Sequence, residues 1–312
     1  MKILVIKPSS LGDIVHGMRI VHQLYEVLPD IRIDWVVKKG LEDILYAGGF
    51  VEKVYFFERG AGLLSYIRLI REIRALHYDY VLDLQGLIRS AVLTAFTRSK
   101  NKYGVADGRE LSTFFYECIG EKNRRNDLHA IEKLSPFLEK IGITKYNPSL
   151  PLEFKKSSLT SLANKKIGKK PYILFFPESR RDEKIWPFFH ELNKRLLRQT
   201  RLSLVISGNY PDNHFPGSID LRGKLMLFEL PELISKASVV VSNDSAPLHI
   251  ASAIGTPTLA LFGPTKKEQY GPYPMGQKTN RVLSAPDRQM KSISLDSVIQ
   301  KIEDLLQTKH GG

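Results

Sequence analysis

Two kinds of hydrophobic pattern alternate along the first half of the chain. Short apolar runs predict buried strands, and segments in which apolar residues recur every three or four positions predict amphipathic helices. The predicted strands are residues 3–6, 33–37, 54–57 and 80–84, and the predicted helices are residues 12–28 and 63–76. Repeated strand–helix units favour a parallel sheet with helices on both faces.

The alternation is interrupted at residues 148–170 and then restarts. This stretch is rich in Lys and Ser, begins with Pro148 and is followed by Pro171, so we place the connection between two domains within it. Strands are predicted at residues 172–176, 202–206, 239–241 and 258–262, and helices at residues 188–199, 230–236, 250–254 and 295–306. The pattern predicts an α/β protein with one domain over residues 1–155 and a second of the same class over residues 156–312. The last helix can pack back on the N-terminal domain.

Composition places the chain among globular proteins. Of its 312 residues 43% are hydrophobic and 25% charged, which argues against disorder. The single cysteine, Cys118, excludes an intrachain disulfide and favours a reducing compartment. No apolar run approaches the roughly 18 residues of a membrane span, and the N-terminus resembles a strand rather than a signal peptide. We therefore expect a cytoplasmic location.

The charge is less usual. The formal net charge of +13 favours anionic partners such as a phosphorylated substrate, an acidic lipid or a nucleic acid, although solubility alone is the alternative explanation. A nucleic-acid-binding protein is the less favoured class, because the sequence shows no helix-turn-helix, aromatic strand platform or zinc pattern.

A polar loop joins the first predicted strand to the first predicted helix. Residues 7–16 read Lys-Pro-Ser-Ser-Leu-Gly-Asp-Ile-Val-His. Gly12 allows the backbone to approach a ligand, and the helix N-terminus favours negative charge. Asp13 suits a general base that accepts a proton from an attacking hydroxyl. The alternative is helix capping, since Asp is common in a first turn.

Two further loops follow strands of the second half. Residues 179–187, Ser-Arg-Arg-Asp-Glu-Lys-Ile-Trp-Pro, contain a cation that can neutralise a departing diphosphate, or they form a salt-bridged surface loop. In residues 242–249, Ser-Asn-Asp-Ser-Ala-Pro-Leu-His, either Asp244 or Ser245 can cap a helix whose N–H groups hold a diphosphate. His249 can donate to the same diphosphate, and capping alone is the alternative.

Weaker signals lie elsewhere. Residues 83–90 repeat the strand–glycine–helix design, Lys38 can meet an anionic acceptor, and Thr265 can lie near a phosphate. A basic set in the first half is a possible docking surface, with a solvated face as the default: Arg98, Lys100, Lys102, Arg109, Lys122, Arg124 and Arg125. The chain lacks a dinucleotide fingerprint, a phosphate-binding P-loop, a GxSxG esterase motif, an Asp-x-Asp pair and a His/Cys cluster.

Together these segments resemble glycosyltransferase family 9, the ADP-heptose:lipopolysaccharide heptosyltransferases. The resemblance is carried by residues 7–16, Asp-Trp-Val-Val at 34–37, Asp-Leu-Gln-Gly-Leu at 83–87, Arg-Asp-Glu-Lys-Ile-Trp-Pro at 181–187, Asn-Asp-Ser-Ala-Pro-Leu-His at 243–249 and Leu-Phe-Gly-Pro-Thr at 261–265. The Ser-Ser-Leu-Gly-Asp and Asp-Glu-Lys-Ile-Trp-Pro segments look most like the heptosyltransferase I branch, and heptosyltransferase II ranks second.

The resemblance implies a GT-B fold, with two Rossmann-like domains facing each other across a cleft. It implies an inverting, metal-independent transfer of L-glycero-D-manno-heptose from ADP-heptose to Kdo of a Kdo-lipid A acceptor, without a cofactor. The acceptor would bind the N-terminal domain and the nucleotide sugar the C-terminal domain. The enzyme would associate peripherally with the anionic cytoplasmic face of the inner membrane.

The resemblance also suggests individual roles. Asp13 matches the catalytic base and Lys184 the ligand of the donor phosphate. The remaining donor-side residues are Asp244 and His249, which match residues that hold the heptose and the diphosphate, Ser245 and Ala246, which present backbone N–H groups, and Thr265. The acceptor side is expected to include Ser9, Ser10, Gly12, Lys38, Gln85 and Arg89.

Two positions depart from the family pattern. Ala246 stands where the family usually has Gly; its methyl group lies where the backbone would meet the donor, and alanine disfavours positive φ. Residues 208–213 lack the acidic cluster often seen near the adenosine ribose, for which Asp212 can substitute. The alternatives left open are a related transferase or epimerase that uses another nucleotide sugar, and a nucleotide-sugar-binding protein without turnover.

Overall fold

The computed structural model describes residues 1–28, 30–58, 60–120, 128–155, 159, 161–209 and 214–310. It divides into two compact units, Met1–Leu152 and Glu153–Gly312. The division falls inside the Pro-, Lys- and Ser-containing stretch of residues 148–170. In the described ranges, no helix has both the length and the hydropathy that crossing a bilayer requires.

The first unit is a parallel sheet flanked by helices. Its strands are β1 (Lys2–Ile6), β2 (Arg32–Lys38), β3 (Lys53–Phe57), β4 (Tyr80–Asp83), β5 (Asn101–Val105) and β6 (Glu117–Ile119). Its helices are α1 (Leu11–Val27), α2 (Glu42–Gly48), α3 (Gly62–Arg74), α4 (Ile88–Phe96) and α5 (Pro136–Lys140), with a short 3-10 helix at Ser112–Phe115. The strand order over the described residues is β3-β2-β1-β4-β5-β6.

Strand β1 lies at the centre of this sheet, which explains the apolar run at residues 3–6. It pairs in parallel with both β2 and β4, so Ile6 lies beside Val36 on one side and Asp83 on the other. The strand order reverses between β1 and β4, and ligands bind open α/β sheets at the carboxyl edge of such a reversal. The loops that carry Asp13 and Gln85 leave the sheet at this edge.

The second unit repeats the architecture. Its strands are β7 (Tyr172–Phe176), β8 (Ser203–Ile206), β9 (Ile219–Asp220), β10 (Val239–Asn243), β11 (Thr258–Phe262) and β12 (Asn280–Ser284). Its helices are α6 (Ser161–Ile167), α7 (Phe189–Gln199), α8 (Leu230–Ser235), α9 (Ala246–Ile254), α10 (Lys267–Tyr270) and α11 (Leu295–His310), with 3-10 helices at Asp182–Lys184, Leu227–Glu229 and Met290–Ser292. The strand order over the described residues is β12-β11-β10-β7-β8-β9.

Strands β7 and β10 form the centre of the second sheet. They pair in parallel, with Phe176 beside Ser242, and their reversal point brings together the loops of residues 177–187 and 244–249. The core on one face is built from side chains of β7, β8, β10, β11, α7 and α11. Helix α11 packs on α7 and on β10, β11 and β12 of its own unit. Packing of this helix on the N-terminal domain stays a prediction.

The predicted α/β class and parallel sheets are confirmed. The strands that the hydrophobic pattern misses are β5, β6, β9 and β12, which have alternating or polar sequences and lie at or next to a sheet edge. Helices α2, α5, α6 and α10 are also missed, because with four to seven residues each they are too short to show a periodic pattern.

Candidate functional site

The loop between β1 and α1 holds Asp13 in a defined position. Ser10 is the N-cap residue of α1, and Asp13 is the third residue of the helix. The Ser10 backbone N–H and hydroxyl both donate to Asp13 Oδ2, at 3.0 and 2.8 Å. This arrangement is a capping box, so Asp13 does take part in capping α1, as the alternative interpretation expected. The carboxylate is also partly exposed at the carboxyl edge of the sheet, where a base would need to be.

A buried lysine lies beneath this loop, and the sequence analysis assigned it no role. Lys7 follows β1 directly, is 9% exposed, and donates from Nζ to the Leu84 carbonyl at 2.9 Å. Burial lowers the pKa of the Lys7 ammonium, and the negative charges of Asp13 and Asp83 oppose this change. The ammonium therefore supplies positive charge near Asp13 and ties the end of β1 to the loop after β4.

Asp83 ends β4 and is completely buried. Its Oδ1 accepts the backbone N–H groups of Gln85 and Gly86 at 2.9 and 3.0 Å. Burial raises the pKa of this carboxyl to about 6, while hydrogen bonds from Gly86, Ser90 and Gln85 and the charge of Lys7 act in the opposite direction. Asp83 thus shapes the turn that carries Gln85 and does not itself line an open site.

This buried carboxyl predicts a pH dependence of stability. The pKa of an Asp in an unfolded chain is near its ordinary value of 3.8, whereas burial raises the pKa of folded Asp83 to about 6. The native state therefore retains a proton between these values, and its stabilising effect is lost as pH rises through about 6. The full change amounts to about 3 kcal/mol.

Asp83→Asn removes this titration. Thermal unfolding of both proteins gives the difference in melting temperature, wild type minus variant. This difference should fall by on the order of 5–10 °C between pH 4 and pH 7. Asp79→Asn, an exposed carboxyl just before the same strand, is the control. A temperature difference for Asp83→Asn that stays constant over this range would contradict the assignment.

The other predicted acceptor residues are distributed along the same edge. Lys38 ends β2 with an exposed side chain, and its N–H donates to the Pro8 carbonyl at 3.0 Å, so β2 and the Asp13 loop are joined. Ser9 and Gly12 lie in this loop, and Gln85 lies in the turn that Lys7 contacts. Arg89 is exposed at the start of α4, and the contacts described here do not link its side chain to Asp13.

The described members of the basic set of the first half lie at both ends of β5. Arg98 and Lys100 precede β5 and Arg109 follows it, so the length of the strand separates them. Lys102 points back to donate to the Ala95 carbonyl at 2.6 Å. Lys122, Arg124 and Arg125 lie outside the described residues.

In the second unit, three predicted donor residues converge at the end of β10. Lys184 Nζ lies 2.6 Å from Asp244 Oδ2, and Thr265 Oγ1 donates to the same oxygen at 2.7 Å. The side chains of Lys184 and Asp244 are 16% and 6% exposed. The ammonium is thus largely shielded from water, where its electrostatic effect on a bound anion is strengthened. We call Lys184, Asp244 and Thr265 the cationic cluster, after the Lys184 ammonium that the Asp244 carboxylate holds in place.

Buried contacts that the sequence analysis missed position this cluster. Asn243, fully buried at the end of β10, donates from Nδ2 to the Pro177 carbonyl at 2.9 Å and accepts the Trp186 N–H at 3.1 Å. Trp186 is buried and donates from Nε1 to the Ile293 carbonyl at 2.9 Å. The loop before Lys184 and the residues after it are therefore both fastened to the core.

The loop of residues 179–187 has features of both interpretations of its sequence, a salt-bridged surface loop and a cation that can neutralise a diphosphate. Arg181 and Glu183 form an exposed ion pair, in which Arg181 Nε lies 2.7 Å from Glu183 Oε1. Lys184 instead turns toward Asp244. One cation is therefore part of a surface pair, and another is held where a phosphate can reach it.

Helix α9 begins beside the cationic cluster. Ser245 is its N-cap residue, and its hydroxyl lies 3.2 Å from that of Ser242 without capping the helix. Asp244 is not the cap, because its carboxylate binds Lys184 and Thr265. His249 lies on the same helix and is buried.

Ala246 is the first residue of α9 and is helical, so the expected conflict between alanine and a positive φ does not arise. An effect of its methyl group on the donor stays a prediction.

A carboxylate missed by the sequence analysis lies at the ends of β7 and β8. Glu178 Oε2 accepts the Asn209 N–H at 2.7 Å, and a Cβ at Gly208 would lie 2.6 Å from the carboxyl carbon. Glycine at 208 is required for this close approach. The sequence signal that could have identified Glu178 is an acidic residue shortly after a buried strand. Asp212, the expected substitute for the missing acidic cluster, lies outside the described residues.

No group of three or more His, Cys, Asp or Glu side chains that could hold a metal ion occurs in the described part of the chain.

Comparison with known proteins places these features in a family. The family description glycosyltransferase family 9 (heptosyltransferase) matches residues 66–302. Lipopolysaccharide heptosyltransferase 1 of Escherichia coli O18:K1:H7 is 27% identical over 331 residues, which covers 97% of this chain and 98% of the relative. Lipooligosaccharide heptosyltransferase 2 of Haemophilus influenzae is 28% identical over 308 residues, covering 89% and 87%.

The fold is shared with a solved relative. The structure of E. coli heptosyltransferase WaaC with ADP superposes with a TM-score of 0.78 at 24% identity, over 98% of this chain and 100% of that one. The fold of the chain is therefore the GT-B fold expected from the sequence. The match to the family extends over more than half of the chain, and the protein is accordingly an enzyme that belongs to glycosyltransferase family 9, the heptosyltransferases.

Proposed function

We propose that the protein is an inverting, metal-independent heptosyltransferase of the heptosyltransferase I type. It would transfer L-glycero-D-manno-heptose from ADP-heptose to Kdo of the lipopolysaccharide inner core. The observation that carries this proposal is the cationic cluster beside the start of α9, in a chain of family 9.

The second unit is proposed to bind the donor. When the bond between the anomeric carbon and the diphosphate breaks, negative charge develops on the β-phosphate. The Lys184 ammonium and the N–H groups at the start of α9 are of the type that stabilises such charge. Asp244 holds Lys184 in place and, with His249, is proposed to contact the heptose and diphosphate. The solved WaaC relative was determined with ADP, which supports an ADP-linked donor here.

The first unit is proposed to bind the acceptor and supply the base. Asp13 accepts the proton of a Kdo hydroxyl while the hydroxyl oxygen attacks the anomeric carbon. A new carbon–oxygen bond forms, the bond to the diphosphate breaks with its electron pair going to ADP, and the configuration at the anomeric carbon inverts. Lys38, Gln85 and Arg89 are proposed to contact the anionic acceptor.

Nucleotide selectivity tests the donor assignment. We expect ADP and ADP-heptose to raise the melting temperature more than UDP or GDP do, because ligands that bind only the native state stabilise it. EDTA should not alter these shifts. A preference for UDP, or loss of the ADP effect in EDTA, would contradict the proposal and favour a related enzyme that uses another nucleotide sugar.

The relatives constrain the identity of the acceptor less than that of the donor. The heptosyltransferase 1 and heptosyltransferase 2 relatives are similarly identical to the chain, so preference for the type I reaction rests on the Ser-Ser-Leu-Gly-Asp and Asp-Glu-Lys-Ile-Trp-Pro segments. Transfer to a Kdo acceptor that carries no heptose supports type I. Transfer only to an acceptor that already carries one heptose would assign the chain to type II.

Such an acceptor would be met at the cytoplasmic face of the inner membrane. We propose that the enzyme is cytoplasmic and associates peripherally with that surface, for which its net charge of +13 is suited. A nucleic-acid partner is not proposed, since the sequence shows no helix-turn-helix, aromatic strand platform or zinc pattern.

A further inference from the structure

Four large apolar side chains are unusually exposed in the first unit. Leu63, Leu64, Leu111 and Phe114 are 72%, 82%, 71% and 81% exposed, and no other large apolar side chain of the described residues exceeds 59%. Single exposed apolar residues are ordinary, but a group of them in one place marks an interaction surface.

The four side chains belong to two segments that flank the same point of the fold. Tyr66, the fifth residue of α3, donates its hydroxyl to the carbonyl of Arg89 at 2.5 Å. Glu110, next to Leu111, accepts the N–H of Ile88 at 3.3 Å. Ile88 and Arg89 are the first two residues of α4. The start of α4 therefore joins the two apolar segments, and we call these four side chains the apolar rim.

The rim lies at the functional edge of the sheet. Helix α4 begins five residues after the end of β4, directly after the turn that carries Gln85. This is the carboxyl edge, from which the loop of Asp13 also leaves. A protein surface at this edge can contact a membrane in which the proposed acceptor is embedded.

The backbone at Leu111 is held in a conformation that leucine disfavours. Glu110 and Leu111 have φ values of 57° and 63°, in the left-handed region that is costly for residues with a Cβ. Strain of this kind persists where the surrounding structure imposes it, and it clusters at functional positions. Here it accompanies a leucine that projects into solvent.

Charge around the rim favours an anionic partner. Leu64, Arg68 and Arg71 are spaced four and three residues apart on α3, so they lie on one exposed stripe of the helix. Arg89 and Arg109 are exposed beside the rim. The exposed acidic residues nearby, Glu72, Asp107 and Glu110, are fewer than these four arginines and leave a small excess of positive charge. Apolar residues beside cations on a helix are typical of a surface that binds a lipid interface.

We propose that the apolar rim inserts into an anionic lipid bilayer, with the neighbouring arginines contacting the headgroups. The lipid nature of the partner rests on the proposed function, whereas the location of the surface does not. Membrane association is then both apolar and electrostatic: high salt weakens it without abolishing it, and the contact presents the edge that carries Asp13 to the membrane.

Vesicle binding by the full chain tests the proposal. Flotation with vesicles of phosphatidylethanolamine and phosphatidylglycerol is compared with flotation on pure phosphatidylcholine, at low and high salt. Leu64→Ser/Phe114→Ser should bind the anionic vesicles at least tenfold more weakly. Val27→Ser is the matched control, because Val27 is 59% exposed at the end of α1, at the opposite edge of the sheet. Equal binding by the double variant and the wild type would overturn the proposal.

Leu111→Asn separates membrane binding from folding. Asparagine tolerates the left-handed region, so this variant should melt at a higher temperature than the wild type while binding anionic vesicles more weakly. If the variant is more stable but binds vesicles as well as the wild type does, Leu111 does not contact the membrane, and this result contradicts the rim as defined. If light scattering shows self-association of the wild type that Leu64→Ser/Phe114→Ser abolishes, with no vesicle binding by either, the rim is a protein contact and the lipid proposal fails.

These measurements are independent of catalysis. If heptose transfer fails but vesicle binding depends on the rim, the proposed function is wrong and the docking surface stands. If the rim variants transfer heptose normally to vesicle-embedded and to acyl-free Kdo acceptors and bind vesicles normally, the docking surface is wrong and the proposed function stands. Loss of transfer only to the vesicle-embedded acceptor is the result that both proposals together predict.

Discussion

Asp13→Asn should reduce heptose transfer by roughly 10²–10⁴-fold, the usual contribution of a general base. Asparagine can still accept hydrogen bonds from Ser10 through its carbonyl oxygen, so the start of α1 should remain intact. The amide cannot take the proton of the attacking hydroxyl. Binding of ADP-heptose should be unchanged, because Asp13 belongs to the unit proposed to bind the acceptor.

Steady-state kinetics and donor titration together measure this effect. Glu26→Gln, in the last turn of the same helix, is the matched control and should retain activity. Ser10→Ala removes the hydroxyl contact to Asp13 together with the N-cap side chain of α1, and it should cause a smaller loss than Asp13→Asn. Turnover by Asp13→Asn close to that of the wild type would exclude Asp13 as the base.

Lys184→Ala should lower turnover by roughly 10²–10³-fold, the effect of removing one donor from developing negative charge. It should also weaken the binding of ADP, since the ammonium is proposed to contact the ground-state diphosphate as well. The change additionally leaves the buried Asp244 carboxylate without its 2.6 Å cation, beside an anionic ligand. Repulsion from this uncompensated carboxylate adds to the loss.

A second substitution separates the two causes. Lys184→Ala/Asp244→Asn removes the uncompensated charge and should recover part of the ADP binding lost in Lys184→Ala, without recovering turnover. Lys236→Ala removes a lysine whose ion pair with Glu232 lies on the surface of the same unit, and it should have no effect on either quantity. An unchanged dependence of rate on donor concentration in Lys184→Ala would contradict the assignment of Lys184.

The buried side chains of Lys7 and Asp83 bear on the electrostatics of the edge that carries Asp13. The Lys7 ammonium is desolvated and experiences the charges of Asp13 and Asp83. It can stabilise an ionised Asp13 only while it keeps its own proton. Both carboxylates favour that protonated state, whereas burial opposes it. The edge is therefore a set of coupled charges rather than an isolated aspartate.

Much of the fold follows from local sequence pattern. The central strands β1, β7, β10 and β11 were predicted almost to the residue, because a strand buried on both faces must be a continuous apolar run. The peripheral strands β6, β9 and β12 were not predicted. Their positions depend on backbone hydrogen bonds to a neighbouring strand. These bonds do not require particular side chains, so they leave only a weak pattern in the sequence.

The candidate site was predicted unevenly. Lys184, Asp244 and Thr265 were each expected on the donor side, and the structure brings them together at one carboxylate oxygen. Glu178 and Asn243 were not selected, since a lone acid after a strand or a lone amide has many ordinary explanations.

By itself, the sequence determined the strand–helix alternation, the two similar halves and the short motifs at the ends of buried strands. These are local properties, set by periodicity and by residue chemistry. The tertiary structure alone decided that Lys184 faces Asp244 while Arg181 pairs with Glu183 at the surface. In the same way, it decided that Lys7 is buried where the charges of Asp13 and Asp83 act on it. It also decided that two apolar segments some fifty residues apart flank the start of α4. The physical reason is that parallel pairing aligns the carboxyl ends of strands distant in sequence, so which side chains meet there depends on strand order and register rather than on any local pattern.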